Sequence, residues 1–259
     1  PKRNGTSTTK PSKPGQVVPV DQLVSPTVGF IAQMTGALTK KRYRYATVYV
    51  DQYSRYGYIY LQKTATAEET LDGKKAFELH MKQINVVVEG YHADNGVFRA
   101  NKWVEHCRES MQRLTFAGVN AHHSNGIAER RIRSLQELAR TMMIHANKRW
   151  PKAITPNLWP YAIRMANEVM NESPLIEQKW IPSQKISGSK VQPNSKHWKP
   201  FGCPVFILSN ALQSGRGIHH KWKERARVGI YLGRSPNHPR NVALILNRDT
   251  GLCSPQFHI

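Results

Sequence analysis

The sequence predicts an α/β protein in which a mixed sheet is covered by helices and followed by a small β-barrel. Two observations predict it. Strand and helix signals run as three strands, then helix, strand, helix, strand, helix, the order of a mixed sheet with covering helices. Four short apolar runs separated by Gly, Pro and Asn turns then fill residues 199–259, which suits a barrel. The length of 259 residues suits one ordinary domain and a smaller one, with room for a real core.

Taken in order, residues 1–15, PKRNGTSTTKPSKPG, carry basic residues, no acid and no apolar period, and read as a flexible basic linker. QVVPVDQLV is a short strand carrying Asp21, and Pro19 within it predicts an edge position or an irregularity. YRYATVYVD and YGYIYLQK are aromatic and β-branched runs around DQYSRY, a hairpin. AEETLDGKKAFELHMKQI has acids first, bases later and Leu71, Phe77, Met81 and Ile84 at helical spacing, so it reads as a helix despite Gly73. VVVEGYHAD is a strand, RANKWVEHCRESMQR a helix and LTFAGV a strand.

After Asn125, the residues Ala128, Ile132, Leu135, Ala139, Met142 and Ala146 step by three and four and keep one apolar stripe on a core. PNLWPYAIRMANEVMNES is a further helix whose Pro160 is expected to bend the first turn. The organisation is therefore a basic linker at 1–15, a core at 16–175, a polar linker at 176–198 and a small barrel at 199–259.

The charge narrows function. There are 38 Lys and Arg against 17 Asp and Glu, a net charge of +21, which points to a polyanionic partner. Nucleic acid fits, because neutralising phosphates releases their counterions. An anionic membrane fits less well, because no apolar run is long enough to span a bilayer and no lipidation pattern is present. Cys107, Cys203 and Cys253 are far apart and form no zinc spacing, so they read as small core residues of a reducing compartment. The chain opens on Pro without a signal peptide and stops in an apparent strand, as expected of a piece of a longer polypeptide.

Against this basic background two carboxylates stand beside Asn-Gly turns: Asp94 in YHADNG and Glu129 in HHSNGIAERR. Either is a salt-bridge partner or half of a metal site. For Glu129, a helix start favours an acid in any case, through the positive end of the dipole. With Asp21, the three acids lie at element ends and can converge, although 34 residues separate Asp94 from Glu129. Converged, they would hold two Mg²⁺ or Mn²⁺ ions, which choose carboxylate oxygen and keep positions for phosphate. Two such ions assist an in-line phosphoryl displacement. Asp51, in YVDQYSRY, also follows a strand and competes with Asp21; spacing alone does not decide between them.

Asp21 after a first strand, ADNG after a later one, SNGIAERR opening a helix, and FGCPVFIL, RARVGIYLGRS, NVALILN and SPQFH in order resemble the integrase of copia-type retrotransposons with long terminal repeats. The resemblance covers residues 16–259 and rests on three motifs and a C-terminal pattern in one order. It implies a ribonuclease H-like core, a C-terminal SH3-like barrel, and joining of 3′-hydroxyl ends of element DNA to target DNA with two Mg²⁺ or Mn²⁺ ions. Carried to matching positions, Asp21 bridges both ions, Asp94 shares one and Glu129 the other, while Asp51 falls in a hairpin turn. The family also carries a His-Cys zinc domain ahead of this core. The spacing of Asp94 and Glu129 is slightly short of the usual retroviral pattern, which predicts a different loop before Glu129.

DNA contact is expected from Arg130 and Arg133, the latter one turn beyond Glu129, and from Lys221, Lys223, Arg225 and Arg227 around Trp222. Trp222 equally suits barrel core. Arg131 is expected to stay out of the core, and His122 and His123 to lie in the loop before the helix. Double-stranded DNA, both element ends and target, is the expected partner, with a homo-oligomer implied by the family, no membrane and a host targeting factor of unknown identity. The expected location is the nucleus or the element's cytoplasmic particle. Two alternatives remain: an inactive DNA-binding or assembly module, and a nuclease of the same fold.

Overall fold

The computed structural model describes residues 10–29, 42–118, 125–175, 179–189, 198–213, 215, 222, 224–239, 241–257 and 259. The chain divides into two compact units: Pro1–Val24, Tyr45–Ile132 and Met170–Gln192 in the first, and Ser25–Arg44, Arg133–Val169 and Pro193–Ile259 in the second. His122 and His123 lie outside the described residues.

The first unit is built on strands β1 (Val18–Gly29), β2 (Tyr43–Val50), β3 (Gly57–Gln62), β4 (Gly90–Ala93) and β5 (Arg113–Phe116), in spatial order β3-β2-β1-β4-β5. β2 and β3 are antiparallel, as the expected hairpin, whereas β1–β4 and β4–β5 are parallel, so the sheet is mixed. β1 is the central strand, which corrects the edge position inferred from Pro19. Proline removes one ladder donor. Val18 and Val20 on either side are fully buried, and their burial, about 1.5–3 kcal/mol per large apolar side chain, outweighs one net hydrogen bond of about 1 kcal/mol.

Helix α1 (Ala67–Gln83) follows the charge pattern, with Glu68 and Glu69 in the first turn and His80 and Lys82 in the last. Thr66 caps it by accepting from the Glu69 N–H, and Glu69 reaches back to the Lys63 and Thr64 N–H groups at 2.8 Å each. Gly73 has a packing reason: a Cβ there would stand 2.8 Å from the Tyr60 ring. Phe77 stacks on Tyr49 at 4.6 Å, and Trp103 of α2 (Asn101–Glu109) meets Tyr91 edge-on. This aromatic layer, with Val18, Val20 and Met81, is the core beneath the site. Val86 and Val88, expected in the strand of Asp94, precede the shorter β4 and still bury their side chains. Within the expected linker 176–198, Pro182–Ser187 form a short helix, α5, whose Ile186 is buried in the same core, and Gly188 (φ 66°) ends it.

Helix α3 spans Gly126–Arg149, and Ala128, Leu135, Ala139 and Ala146 of the expected stripe are buried. A 3₁₀ turn at Pro156–Leu158 leads into α4 (Trp159–Glu172). In the second unit, β6 (Pro204–Leu208), β7 (Ala226–Arg234), β8 (Ala243–Leu246) and β9 (Cys253–Gln256) form an antiparallel sheet in the order β6-β7-β8-β9, with the short α6 (Asn210–Gln213) after β6. No pairing among the described residues closes this sheet into the expected barrel. Residues beside and within this sheet meet residues in or next to the helices of the same unit. The Trp150 indole donates to the Gly202 carbonyl at 2.7 Å, Gly202 leaves no space for a Cβ against Ala146, and Arg234 pairs with Glu168 at 3.1 Å.

Candidate functional site

The parallel register sets the site. Val18, Pro19 and Val20 of β1 pair with Tyr91, His92 and Ala93 of β4, so the next residues, Asp21 and Asp94, leave the paired stretch together at one end of neighbouring strands. Strands so paired lie about 4.8 Å apart. The strand of Asp21 does not end there, as expected from the sequence, but runs on to Gly29. Asp94 does end β4. The start of α3 is tied to the same place: the buried Asn125 amide donates to the Val20 carbonyl at 3.0 Å. Glu129, exposed in the first turn of α3, follows one turn later.

Electrostatics agree with that neighbourhood. Burial, chiefly, pushes the Asp21 carboxyl up to about 6; the Gln22 N–H at 2.8 Å opposes the rise, and the charges of Asp94 and Glu129 add to it. Two of the three acids lean on their own backbone, since Asp94 accepts from the Gly96 N–H at 3.2 Å as Asp21 does from Gln22. Among the described residues, no three His, Cys, Asp or Glu side chains form a group that could hold a metal ion. The donors are nevertheless all hard carboxylate oxygens, the chemistry of Mg²⁺ or Mn²⁺ ligation.

Asp51 is bound differently. It is 1% exposed, its Oδ1 accepts from the Gly15 N–H at 2.8 Å, and its Oδ2 accepts from the Ser54 N–H at 2.7 Å and hydroxyl at 2.6 Å. It braces the β2–β3 turn. Arg131 corrects the expectation that it stays out of the core: it is 6% exposed and donates to Asn171 at 2.8 Å, while burial brings its guanidinium down to about 10. Asn171 in turn brackets the Gly57 backbone, accepting from its N–H at 2.8 Å and donating to its carbonyl at 2.7 Å. A buried guanidinium is tolerable with such a partner, and Asn171 stands 40 residues away, beyond any local pattern.

Arg130, Arg133, Arg225 and Arg227 are exposed, and Trp222 is 91% exposed, which excludes the core alternative for it. Lys221 and Lys223 lie outside the described residues. Sequence reasoning missed a polar cluster behind Asp21. The Gln22 amide donates to Thr70 at 3.1 Å and to Thr47 and Gln62 at 3.4 Å, and Thr47 also donates to Gln62. Its residues come from β1, β2, β3 and α1; the only hint was polar Thr47 and Gln62 within apolar strands.

No family model matches the chain. It is 27% identical over 201 residues to the retrovirus-related Pol polyprotein from transposon RE1 of Arabidopsis thaliana, covering 76% of this chain and 13% of the relative. To the corresponding polyprotein from transposon RE2 of the same plant it is 25% identical over 227 residues, 86% of this chain and 14% of the relative. The chain thus spans about an eighth of the length of the relatives it matches. A chain of the cryo-EM structure of the simian T-cell lymphotropic virus intasome in complex with PP2A regulatory subunit B56 gamma superposes with a TM-score of 0.50. The two share 17% identity, over 95% of this chain and 78% of that one. The resemblance to a copia-type retrotransposon read from the motifs is borne out by these polyproteins, and the mixed sheet flanked by helices shares the fold of that intasome chain.

Proposed function

We propose that this chain is the catalytic and DNA-binding part of a retrotransposon integrase, joining 3′-hydroxyl ends of element DNA to target DNA with the help of two Mg²⁺ or Mn²⁺ ions. The observation that supports the proposal is the parallel register that puts Asp21 and Asp94 at one end of neighbouring strands, with the charges of Asp94 and Glu129 both acting on the Asp21 carboxyl. Asp21, which is hard to ionise beside two other acids, is the group a divalent cation would relieve most. Bound there, such ions activate an attacking oxygen and stabilise a leaving one.

In the reaction proposed, the donor 3′ oxygen attacks a target phosphorus. A new phosphodiester forms as the target's own P–O3′ bond breaks, and the proton of the donor hydroxyl passes to the leaving oxygen's side of the exchange through water. Asp21, Asp94 and Glu129 would supply the oxygen ligands of the ions. Arg133 and Arg130, exposed near the start of α3, hold phosphate, and Arg225, Arg227 and the exposed face of Trp222 hold nucleic acid elsewhere. Binding two element ends calls for a homo-oligomer, and action on chromosomal DNA for work in the nucleus. No helix among the described residues is long and apolar enough to cross a membrane.

The test is a product analysis of the whole chain with Mg²⁺, duplex donor ends bearing free 3′ hydroxyls and a supercoiled target plasmid. Donor joined covalently to plasmid, absent with a chelator, is expected. Cleaved plasmid without joining would instead mark a nuclease, and bound DNA without any product a non-catalytic module; either overturns the proposal.

A further inference from the structure

We infer that Asn125 is a positioning residue for the carboxylate site, fixing the distance between Asp21 and Glu129 and with it the capacity of the site to take a divalent cation. The inference rests on the metal-dependent reading above. Its ground is one hydrogen bond in an unusual location. Nδ2 of Asn125 donates at 3.0 Å to the carbonyl of Val20, the residue before Asp21, across 105 residues of chain. Asn125 also stands four residues before Glu129, about one helical turn. A single bond therefore joins the backbone of the first acid to the turn that carries the third.

A second observation separates this amide from ordinary packing. The carbonyl of Val20 accepts only a donor, so the orientation of the amide is fixed with Nδ2 toward it. Oδ1 then has no hydrogen-bond partner among the described residues, although Asn125 is only 2% exposed. A buried acceptor left unmade is destabilising, and an apolar side chain would remove it only by also taking the Nδ2 donor from the Val20 carbonyl. What the amide adds over an apolar residue is therefore the bond it makes beside the acids. Asn95, in the other Asn-Gly pair, makes a comparable cross-link, its Nδ2 donating to the Ala117 carbonyl at 2.9 Å, just past the β4–β5 pairing. Both Asn-Gly pairs therefore use their Asn to fasten an acid-bearing element to its neighbour.

The geometry required is strict. Mg²⁺ binds its oxygens at about 2.0–2.1 Å in a near-ideal octahedron. A displacement of about 1 Å at a reacting centre costs on the order of a hundredfold. The other described tie of this part of α3, Arg131 to Asn171, fastens it to Gly57 at the start of β3, whereas the Asn125 bond reaches the strand of Asp21 itself.

The experiment measures Mn²⁺ binding to the whole chain without DNA, by electron paramagnetic resonance, for the wild type, Asp21→Asn, Asn125→Ala and Asn125→Leu, together with melting temperature. Wild type is expected to bind Mn²⁺ and Asp21→Asn to lose that binding. Both Asn125 variants are expected to weaken it by about 10–100-fold, as for a lost outer-shell partner, with Asn125→Leu still folded and melting higher than Asn125→Ala while losing as much Mn²⁺ affinity. Unchanged Mn²⁺ affinity in either variant, or a loss of affinity only in step with a fall in melting temperature, overturns the inference. So does failure of both variants to fold, because the amide is then a packing element. Absence of Asp21-dependent binding in the wild type sinks the metal-dependent reading itself, and the inference with it.

Discussion

Asp21 and Asp51 are the same residue type, each in or directly after a strand of one sheet, and their surroundings are opposite. Burial is the first cause of a raised carboxyl at both. At Asp51 the Ser54 hydroxyl, the Gly15 and Ser54 N–H groups and the charge of Arg55 all act against that rise. At Asp21 a single N–H does so, and two further carboxylates add to it. Burial alone therefore does not distinguish a structural brace such as Asp51 from a proposed metal ligand such as Asp21. The distinguishing feature is whether donors or other acids surround the group.

The largest expected effect bears on neither acid. With six to ten phosphates contacted, DNA affinity should fall by about 10³–10⁵ between 50 and 200 mM salt. Asp21→Asn and Asp51→Asn should keep the same slope; filter binding at several salt concentrations checks it, and a flat response would sink the electrostatic account. Next come the partners of Asp21. Glu129→Gln and Asp94→Asn should each lower DNA joining by more than about a hundredfold, beyond the loss typical of an outer-shell partner. Their melting temperatures should hold, since each side chain is exposed and keeps its volume.

Asp51→Ala should break the comparison from the other side. It strands two buried N–H groups and a hydroxyl, at about 1–3 kcal/mol each before relaxation, so denaturant unfolding should register a loss of a few kcal/mol. Joining per folded molecule should survive. The smallest effect is on pH. The folded-state value of Asp21, about 6, lies above the ordinary 3.8, so the folded chain holds that proton more tightly than the unfolded one. Stability from this group is complete below about pH 4 and is lost as pH rises through about 6. Melting curves across that window should show wild type falling relative to Asp21→Asn, and Mn²⁺ should restore it above about pH 6, because cations bind the ionised form.

Much of this was legible in the sequence, for reasons tied to particular residues. The hairpin, α1 and α3 were legible because their signals are local: alternation, terminal charges and a stripe from Ala128 to Ala146. Asp94 and Glu129 stood out because each adjoins an Asn-Gly pair in an acid-poor chain. Asp21 has no such context, and its kinship with Asp94 is a matter of register, which only the folded sheet supplies. The same holds for Pro19 in a central strand, for Arg131 with its partner at Asn171, and for Gln22 with its cluster. The C-terminal strands were legible as strands, but CPVFILS reads alike in a closed barrel and in the four-stranded sheet that the described residues form. Their partners decide, and those lie far off in sequence.

The most direct test of the contrast sets Asp21→Asn beside Asp51→Asn in one joining assay with Mg²⁺, each scored for product per folded molecule and for melting temperature. The account predicts that Asp21→Asn loses joined product while melting at or above the wild-type temperature, and that Asp51→Asn melts lower while joining at a wild-type rate. Undiminished joining by Asp21→Asn, or loss of joining by a fully folded Asp51→Asn, would contradict it.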